Sequence, residues 1–326
     1  MEWSRWNTNG GLSNVSAALH FVISAPRSGS TWLARSLNEH PEVFATEHRL
    51  FGNFCEVWRN NDGTSAPRIT FDNYARAFAM HYFYDQMDMN HGQFVDVFQK
   101  SFINFVTQFG SRRSGKPIVI DKITPYPGTA ELVTRQIRKI CPDAKIVQLI
   151  RDGRDVLTSG TFDWLLKDAE GTDRHRFFEV KEPGFVLKRF FDDAVITKWA
   201  ENWRETIDVF KTRQADAQIR YEAMKTDQAA ELSKIFKILG ANPDSEIANA
   251  CAQATTFKKT TGRSAGDAVA TAKARKGVAG DWKNYLTRAD GQLFHQLAGQ
   301  QLIELGYESD AGWLDDLPTE LNLQQV

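Results

Sequence analysis

The chain has 326 residues, enough for one large domain or two small ones with a full core. Its 42% apolar and 25% charged residues are ordinary globular composition, and a formal net charge of −1 excludes a chain built as a whole to coat nucleic acid or an anionic membrane. No stretch approaches the roughly 18 apolar residues of a membrane span, and Met1-Glu-Trp-Ser-Arg-Trp6 carries no apolar run of the signal-peptide kind.

In chain order, the first strand signal is the apolar run 20–25, His20-Phe-Val-Ile-Ser-Ala25, closed by Pro26. A small-residue turn follows, then the helical spacing of Trp32, Leu33 and Leu37. Residues 53–115 hold aromatics at helical spacing (Tyr74, Phe78, Tyr82, then Phe94, Phe98, Phe102, Phe105, Phe109), which predicts two helices. That stripe is expected to pack in the core, with part of it available to wall an acceptor pocket. A second strand, 117–120, runs into Asp121 and Lys122, and a helix over 128–140 ends at Pro142. The third strand, 144–150, is apolar almost throughout, as buried parallel strands are. It leads into Arg151-Asp-Gly-Arg154 and another helix. Residues 165–185 are polar and punctuated by Gly and Pro, the pattern of a mobile loop over a site. A long helix spans about 190–213, a fourth strand covers 218–221, and helices follow at 227–239 and 244–254. Residues 258–281 carry no continuous element signal, and the last helix covers about 290–305.

Strands alternating with helices predict a single α/β domain with a central, mostly parallel sheet flanked by helices. In such sheets ligands sit beyond the carboxyl ends of the strands, where each notable polar cluster of this chain falls. The domain is expected over 20–310, with an extension at 1–19 and a tail at 311–326. Cys55, Cys141 and Cys251 are far apart without CxxC spacing, which points to reduced thiols in a cytoplasmic protein. No His, Asp, Glu or Cys spacing suggests a metal site. Oligomeric state leaves no signal.

The loop Ala25-Pro-Arg-Ser-Gly-Ser-Thr-Trp32 has the make-up of an anion cradle. Gly29 allows close backbone approach, Ser28, Ser30 and Thr31 offer hydroxyls, and the helix N-terminus adds free N–H groups. Arg27 supplies a guanidinium suited to an oxyanion. The competing reading is an ordinary helix cap by Ser28 or Ser30. No GxxxxGK[ST] is present, so the loop is not a Walker A loop.

Two further clusters are anion-competent. Arg151 follows the third strand, and Ser159 falls two helical turns further on, placed to share a ligand with it. Near the other end stands Arg275-Lys-Gly-Val-Ala-Gly-Asp-Trp-Lys283, where Arg275 and Lys276 supply cations and Gly277 and Gly280 allow a backbone nest. Trp282 is placed to anchor that loop or to stack on a flat ring. Alone, the Arg151 cluster reads as a capped helix with surface ion pairs and the Arg275 cluster as a solvated basic loop. Together they fit a ligand with two phosphate-type ends.

These three motifs, in this order over roughly residues 20–285, resemble the sulfotransferase family, whose donor is 3′-phosphoadenosine 5′-phosphosulfate (PAPS). The resemblance implies a single α/β domain related to the P-loop nucleotide kinases. It assigns Pro26-Arg-Ser-Gly-Ser-Thr-Trp32 to the 5′-phosphosulfate, and Arg151, Ser159 and Arg275-Lys276-Gly277 to the 3′-phosphate. Tyr221 resembles an adenine-contacting tyrosine, and Thr256-Phe257 a pair near the adenine. The implied product is adenosine 3′,5′-bisphosphate. The implied acceptor is a hydroxyl or amine of a small molecule, lipid or glycan.

In that family Arg27 and Lys122 would neutralise the leaving phosphate. The general base is not where the cytosolic members carry it, because Thr124 stands in place of their histidine. Tyrosyl-protein and heparan-type members use a glutamate shortly after the first helix, and Glu47 and His48 both fit that place. Glu47 is the first choice by chemical identity. His48 follows, because imidazole titrates near neutrality. His175 is a third candidate. Two other classes stay open: a P-loop-like small-molecule kinase, opposed by the missing Walker lysine, and a nucleotide-binding homologue without chemistry, favoured by Thr124.

Overall fold

The computed structural model describes residues 17–47, 55–59, 65–69, 91–125, 127–164, 171–213, 215–269, 272 and 274–323. Five parallel strands form the central sheet, in spatial order β2-β5-β1-β6-β7. They are β1 (Ala18–Ser24), β2 (Val43–Thr46), β5 (Ile118–Ile123), β6 (Ile146–Ile150) and β7 (Ala217–Arg220). β1 is central, and Phe21, Val22 and Ile23 are fully buried, so the strand is apolar on both faces as the sequence predicts.

The two faces carry separate cores. Val22 packs with Leu33 and Leu37 of α1 (Ser30–Asn38), together with α8 (Gln228–Leu239) and α9 (Ser245–Ala254). Phe21 and Ile23 pack the other way, against Ile103 of α2 (His91–Ser114), Val133 and Ile137 of α3 (Ala130–Ile140) and Phe210 of α6 (Asp193–Thr212). Leu33 and Leu37, and Val133 and Ile137, stand four apart, which puts each pair on one helix face. A third core lies around α4 (Gly153–Trp164), α6 and α11 (Arg288–Glu304). The remaining helices are α5 (Asp173–Phe178), α7 (Tyr221–Thr226) and α10 (Phe257–Thr261).

Two strand features are not anticipated by the sequence: the edge strand β2, and, ahead of the aromatic stripe that begins at Tyr74, the antiparallel pair β3 (Cys55–Arg59) with β4 (Ser65–Ile69). Three local expectations are corrected. The aromatic stripe of α2 does not face the core: Phe105 is 63% exposed and Phe109 46%, while Gln99, Ile103, Thr107 and Ser111 are buried. Tyr74, Phe78 and Tyr82 lie outside the described residues. Within 165–185, expected as loop, residues 173–178 are helical, with Thr172 accepting from the His175 N–H as cap. The start of the stretch 258–281, expected to lack an element, belongs to α10 (Phe257–Thr261).

Residues 311–323 are folded onto the domain. Trp313, Leu317 and Leu321 are buried in the third core, and Leu187 bridges to Leu323. Cys141 and Cys251 are free thiols. Burial pushes the Cys141 thiol up to about 12. Among the described residues no helix is long and apolar enough to cross a membrane.

Candidate active site

The carboxyl ends of β1, β5, β6 and β7 open on one cavity of about 360 Å³. Each strand delivers its own charged or aromatic group to it: Arg27 after β1, Lys122 at the end of β5, Arg151 after β6 and Tyr221 after β7. Ser159 of α4 and the loop Arg275-Lys276-Gly277 complete the wall. The three sequence clusters therefore converge on one site.

The first loop is shaped by two left-handed residues, Arg27 (φ 65°) and Gly29 (φ 91°). A β-carbon on Gly29 would stand 2.7 Å from the Tyr221 ring, so only glycine fits there. Arg27 has no such freedom, and its conformation costs about 1 kcal/mol or more. It is held by Arg151, whose NH1 donates to the Arg27 carbonyl at 3.0 Å. No side chain caps α1, which removes the ordinary-cap reading and leaves its first N–H groups facing the cavity.

The cations are paired in two different ways. Asp155 is 1% exposed, accepts the N–H groups of Gly280 (2.8 Å) and Trp282 (3.1 Å), and stands 3.5 Å from Arg151. Asp281 is also buried and takes both Arg275 and Lys276 (2.8 Å). On the reacting side the partners are half-exposed: Asp163 lies 3.3 Å from Arg27, and Glu47 lies 3.6 Å from Lys122. Arg27 Nε also donates to Ser159 Oγ at 3.3 Å. Burial pulls the pKa of Arg27 down, Asp163 opposes this, and Arg151 and Arg275 reinforce it. Burial and Arg275 likewise lower Lys276. Burial raises Asp155 even though Arg151 pulls it down.

Among the described residues, Ser28 Oγ, Arg151 Nε and Arg275 Nε are buried without a hydrogen-bond partner. Arg151 and Arg275 line the cavity, whereas Ser28, 1% exposed, is not among the lining groups. Aromatic groups line the remaining wall. The Tyr221 ring lies under the Arg151 guanidinium (4.4 Å) and edge-on to Trp32 (5.7 Å). Phe257 backs Gly277, where a β-carbon would come within 2.4 Å of the ring. Burial raises the Tyr221 hydroxyl.

The predicted residues do not all face the cavity. The Thr256 hydroxyl is engaged as the cap of α10, accepting from Lys259 N–H at 3.3 Å, and is not among the lining groups. Trp282 turns away from the ligand side and stacks on the Arg154 guanidinium at 3.7 Å. Thr124 lines the cavity. His48 lies outside the described residues, and His175, on α5, is absent from the cavity wall. Sequence reasoning missed Asp163, Asp155, Asp281 and Lys225. Lys225 lines the cavity four residues after Tyr221, and burial and Arg151 lower its pKa. The spacing of four from Arg151, Ser159 and Tyr221 was the available signal for Asp155, Asp163 and Lys225. Among the described residues no cluster of three or more His, Cys, Asp or Glu side chains could hold a metal.

The sulfotransferase domain family matches residues 20–306, and the chain belongs to that family. It is 32% identical to rat sulfotransferase 1C2 over 209 residues, covering 58% of this chain and 67% of that protein. Human sulfotransferase 2A1 is 27% identical over 178 residues, covering 51% of this chain and only 59% of that protein's length. Among solved structures, mouse sulfotransferase SULT7A1 complexed with PAP is similar at 17% identity, covering 92% of this chain and 87% of that one (TM-score 0.45). The sulfotransferase domain of the Synechococcus PCC 7002 olefin synthase is similar at 18% identity, covering 88% and 96% (TM-score 0.45).

Proposed function

We propose that the protein transfers a sulfuryl group from PAPS to a hydroxyl or amine of a small-molecule, lipid or glycan acceptor, releasing adenosine 3′,5′-bisphosphate. One observation carries this reading: a single cavity is lined by an uncapped helix N-terminus at one loop and by the cations of Arg151, Arg275 and Lys276 at others. A ligand with two phosphate-type ends satisfies both, whereas a nucleotide with a single polyphosphate needs only one.

The donor supplies an activated sulfuryl group in an anhydride to the 5′-phosphate. In this reading, the residues of 27–32 and Lys122 bind that end and neutralise charge on the leaving oxygen. Arg151, Ser159 and Lys276 hold the 3′-phosphate, while Trp32, Tyr221 and Phe257 flank the adenine. Glu47 is the base we favour for the acceptor proton, because it is half-exposed and 3.6 Å from Lys122, which lines the cavity, although Glu47 itself is not among the lining groups. His48 and His175 rank behind it. We further propose that the protein works in the cytoplasm with its thiols reduced.

A second reading rests on Thr124. A nucleotide-binding homologue without chemistry would tolerate a threonine there, since threonine takes up no proton at neutral pH. Ligand linkage separates the cases. Adenosine 3′,5′-bisphosphate at 100 times its Kd is expected to stabilise the fold by about 2.7 kcal/mol, with ATP far weaker. Stabilisation by ATP alone would remove the PAPS reading. Stabilisation by the bisphosphate with no labelled sulfate reaching any hydroxyl or amine acceptor in a broad screen would favour the second reading.

A further inference from the structure

Asp163 occupies a place that its own helix disfavours. It is the penultimate residue of α4, which carries no basic residue in its last turn. A carboxylate at that end meets the negative pole of the helix dipole, an unfavourable term of about 0.3–1 kcal/mol. What it gains there is Arg27, whose guanidinium lies 3.3 Å from its Oδ1. Ser159 is four residues earlier on the same helix face and receives Arg27 Nε at 3.3 Å. One face of α4 thus holds the guanidinium at two points.

The hold differs in kind from the other acid–cation contacts of the cavity. Asp155 is fixed by two backbone N–H groups, and Asp281 is buried and shared among Arg275, Lys276 and Asn284. Asp163 contacts Arg27 alone among the described residues, and its side chain is 35% exposed. It can itself swing into water, and the Arg27 guanidinium it would leave is 13% exposed. A nucleotide anion arriving at Arg27 would meet this carboxylate at close range, and two anions cannot share one guanidinium edge without repulsion.

We infer that Asp163 is a displaceable placeholder for the donor's anion: it holds Arg27 against Arg151 and Arg275 in the free site, yields it to the 5′-phosphate end of the nucleotide, and reclaims it as the product leaves. It is a positioning residue, acting through Arg27, and the inference rests on the nucleotide reading given above. The placeholder weakens the ground-state complex in exchange for fast release, which often limits turnover in closed sites.

The test compares wild type with Asp163→Asn and Asp163→Glu. Calorimetry is expected to show adenosine 3′,5′-bisphosphate binding about fivefold tighter to Asp163→Asn, the most that a part-exposed ion pair supplies. Its kcat falls, its KM for the donor falls with it, and product inhibition strengthens. Asp163→Glu keeps the charge and behaves as wild type. A merely structural role would weaken binding in Asp163→Asn instead, with a raised KM. If wild type binds the bisphosphate and Asp163→Asn binds it equally or less tightly, the placeholder is wrong while the nucleotide reading stands. If wild type itself fails to bind the bisphosphate, both fall.

Discussion

The pairing of Lys122 with Glu47 joins two chemistries at one distance. Lys122 is 7% exposed and ends β5, so its ammonium is fixed by the sheet; Glu47 follows β2, the neighbouring strand, and is 33% exposed. The lysine is thus held rigidly while the carboxylate keeps contact with solvent, as a proton acceptor must. Substituting Glu47→Gln keeps shape and removes basicity. The expected result is a loss of about 10²–10⁴ in kcat, with the affinity for adenosine 3′,5′-bisphosphate unchanged by calorimetry. Should Glu47→Gln and His48→Ala each retain full activity, the base is neither of them.

At the scale of elements, strand and helix signals differ in what they expose to a reader of sequence. The inner strands β1 and β6 are legible because both faces are buried, which makes 20–25 and 144–150 nearly continuous apolar runs, whereas the short edge strand β2, mostly part-exposed, is not. β3 and β4 are not legible, because Pro67 argues against a strand. A two-stranded ribbon has only edges, so a residue lacking an N–H is tolerated there. On α2 the period of the phenylalanines marks a face but not its direction, and Ile103 with the polar Gln99, Thr107 and Ser111 packs inward instead. α5 spans under two turns, too short for periodicity to register. The corner where three elements meet is held by Asp216, which accepts from Ile146 N–H (2.9 Å) and Arg138 (3.0 Å) and lies 3.4 Å from Lys145. Burial alone would raise this carboxyl, yet the Ile146 N–H, Arg138 and Lys145 hold it below its ordinary value. A depressed carboxyl contributes stability that is fully present above the ordinary carboxylate range and lost as pH falls through the depressed value. Asp216→Asn should therefore lower stability in urea by about 1 kcal/mol at pH 7, and by less near pH 4. An equal loss at both pH values would show that charge is not the cause.

Over the whole molecule, the site depends on residues far along the chain from its motifs. Arg154 is 2% exposed and lies in the corner between the Trp282 ring (3.7 Å) and the Trp313 ring (4.6 Å), which meet each other at right angles. Asp152 and Glu308 take its guanidinium, and burial, which would lower its pKa, is outweighed by these two carboxylates. This stack links α4, the loop after Gly277 and the segment beyond α11. The motif arginines were readable from sequence because strand ends and glycines frame them. The bracing was not, since Trp313, Leu317 and Leu321 lie past the family match at 306 and carry no periodic pattern. Trp282 is the residue next to Asp281, the shared partner of Arg275 and Lys276, so whatever loosens the stack loosens the cations. Trp313→Ala removes one of the two rings around Arg154 and leaves a cavity in the third core. The expected loss is about 3–5 kcal/mol in urea unfolding, the range for buried aromatic truncation, together with weaker adenosine 3′,5′-bisphosphate binding under conditions where the variant is still folded. Trp313→Phe keeps a ring over Arg154 and should recover most of both. A Trp313→Ala protein that unfolds at the wild-type urea midpoint would show that the segment beyond 310 is only laid on the surface, and the domain would then end near the family boundary.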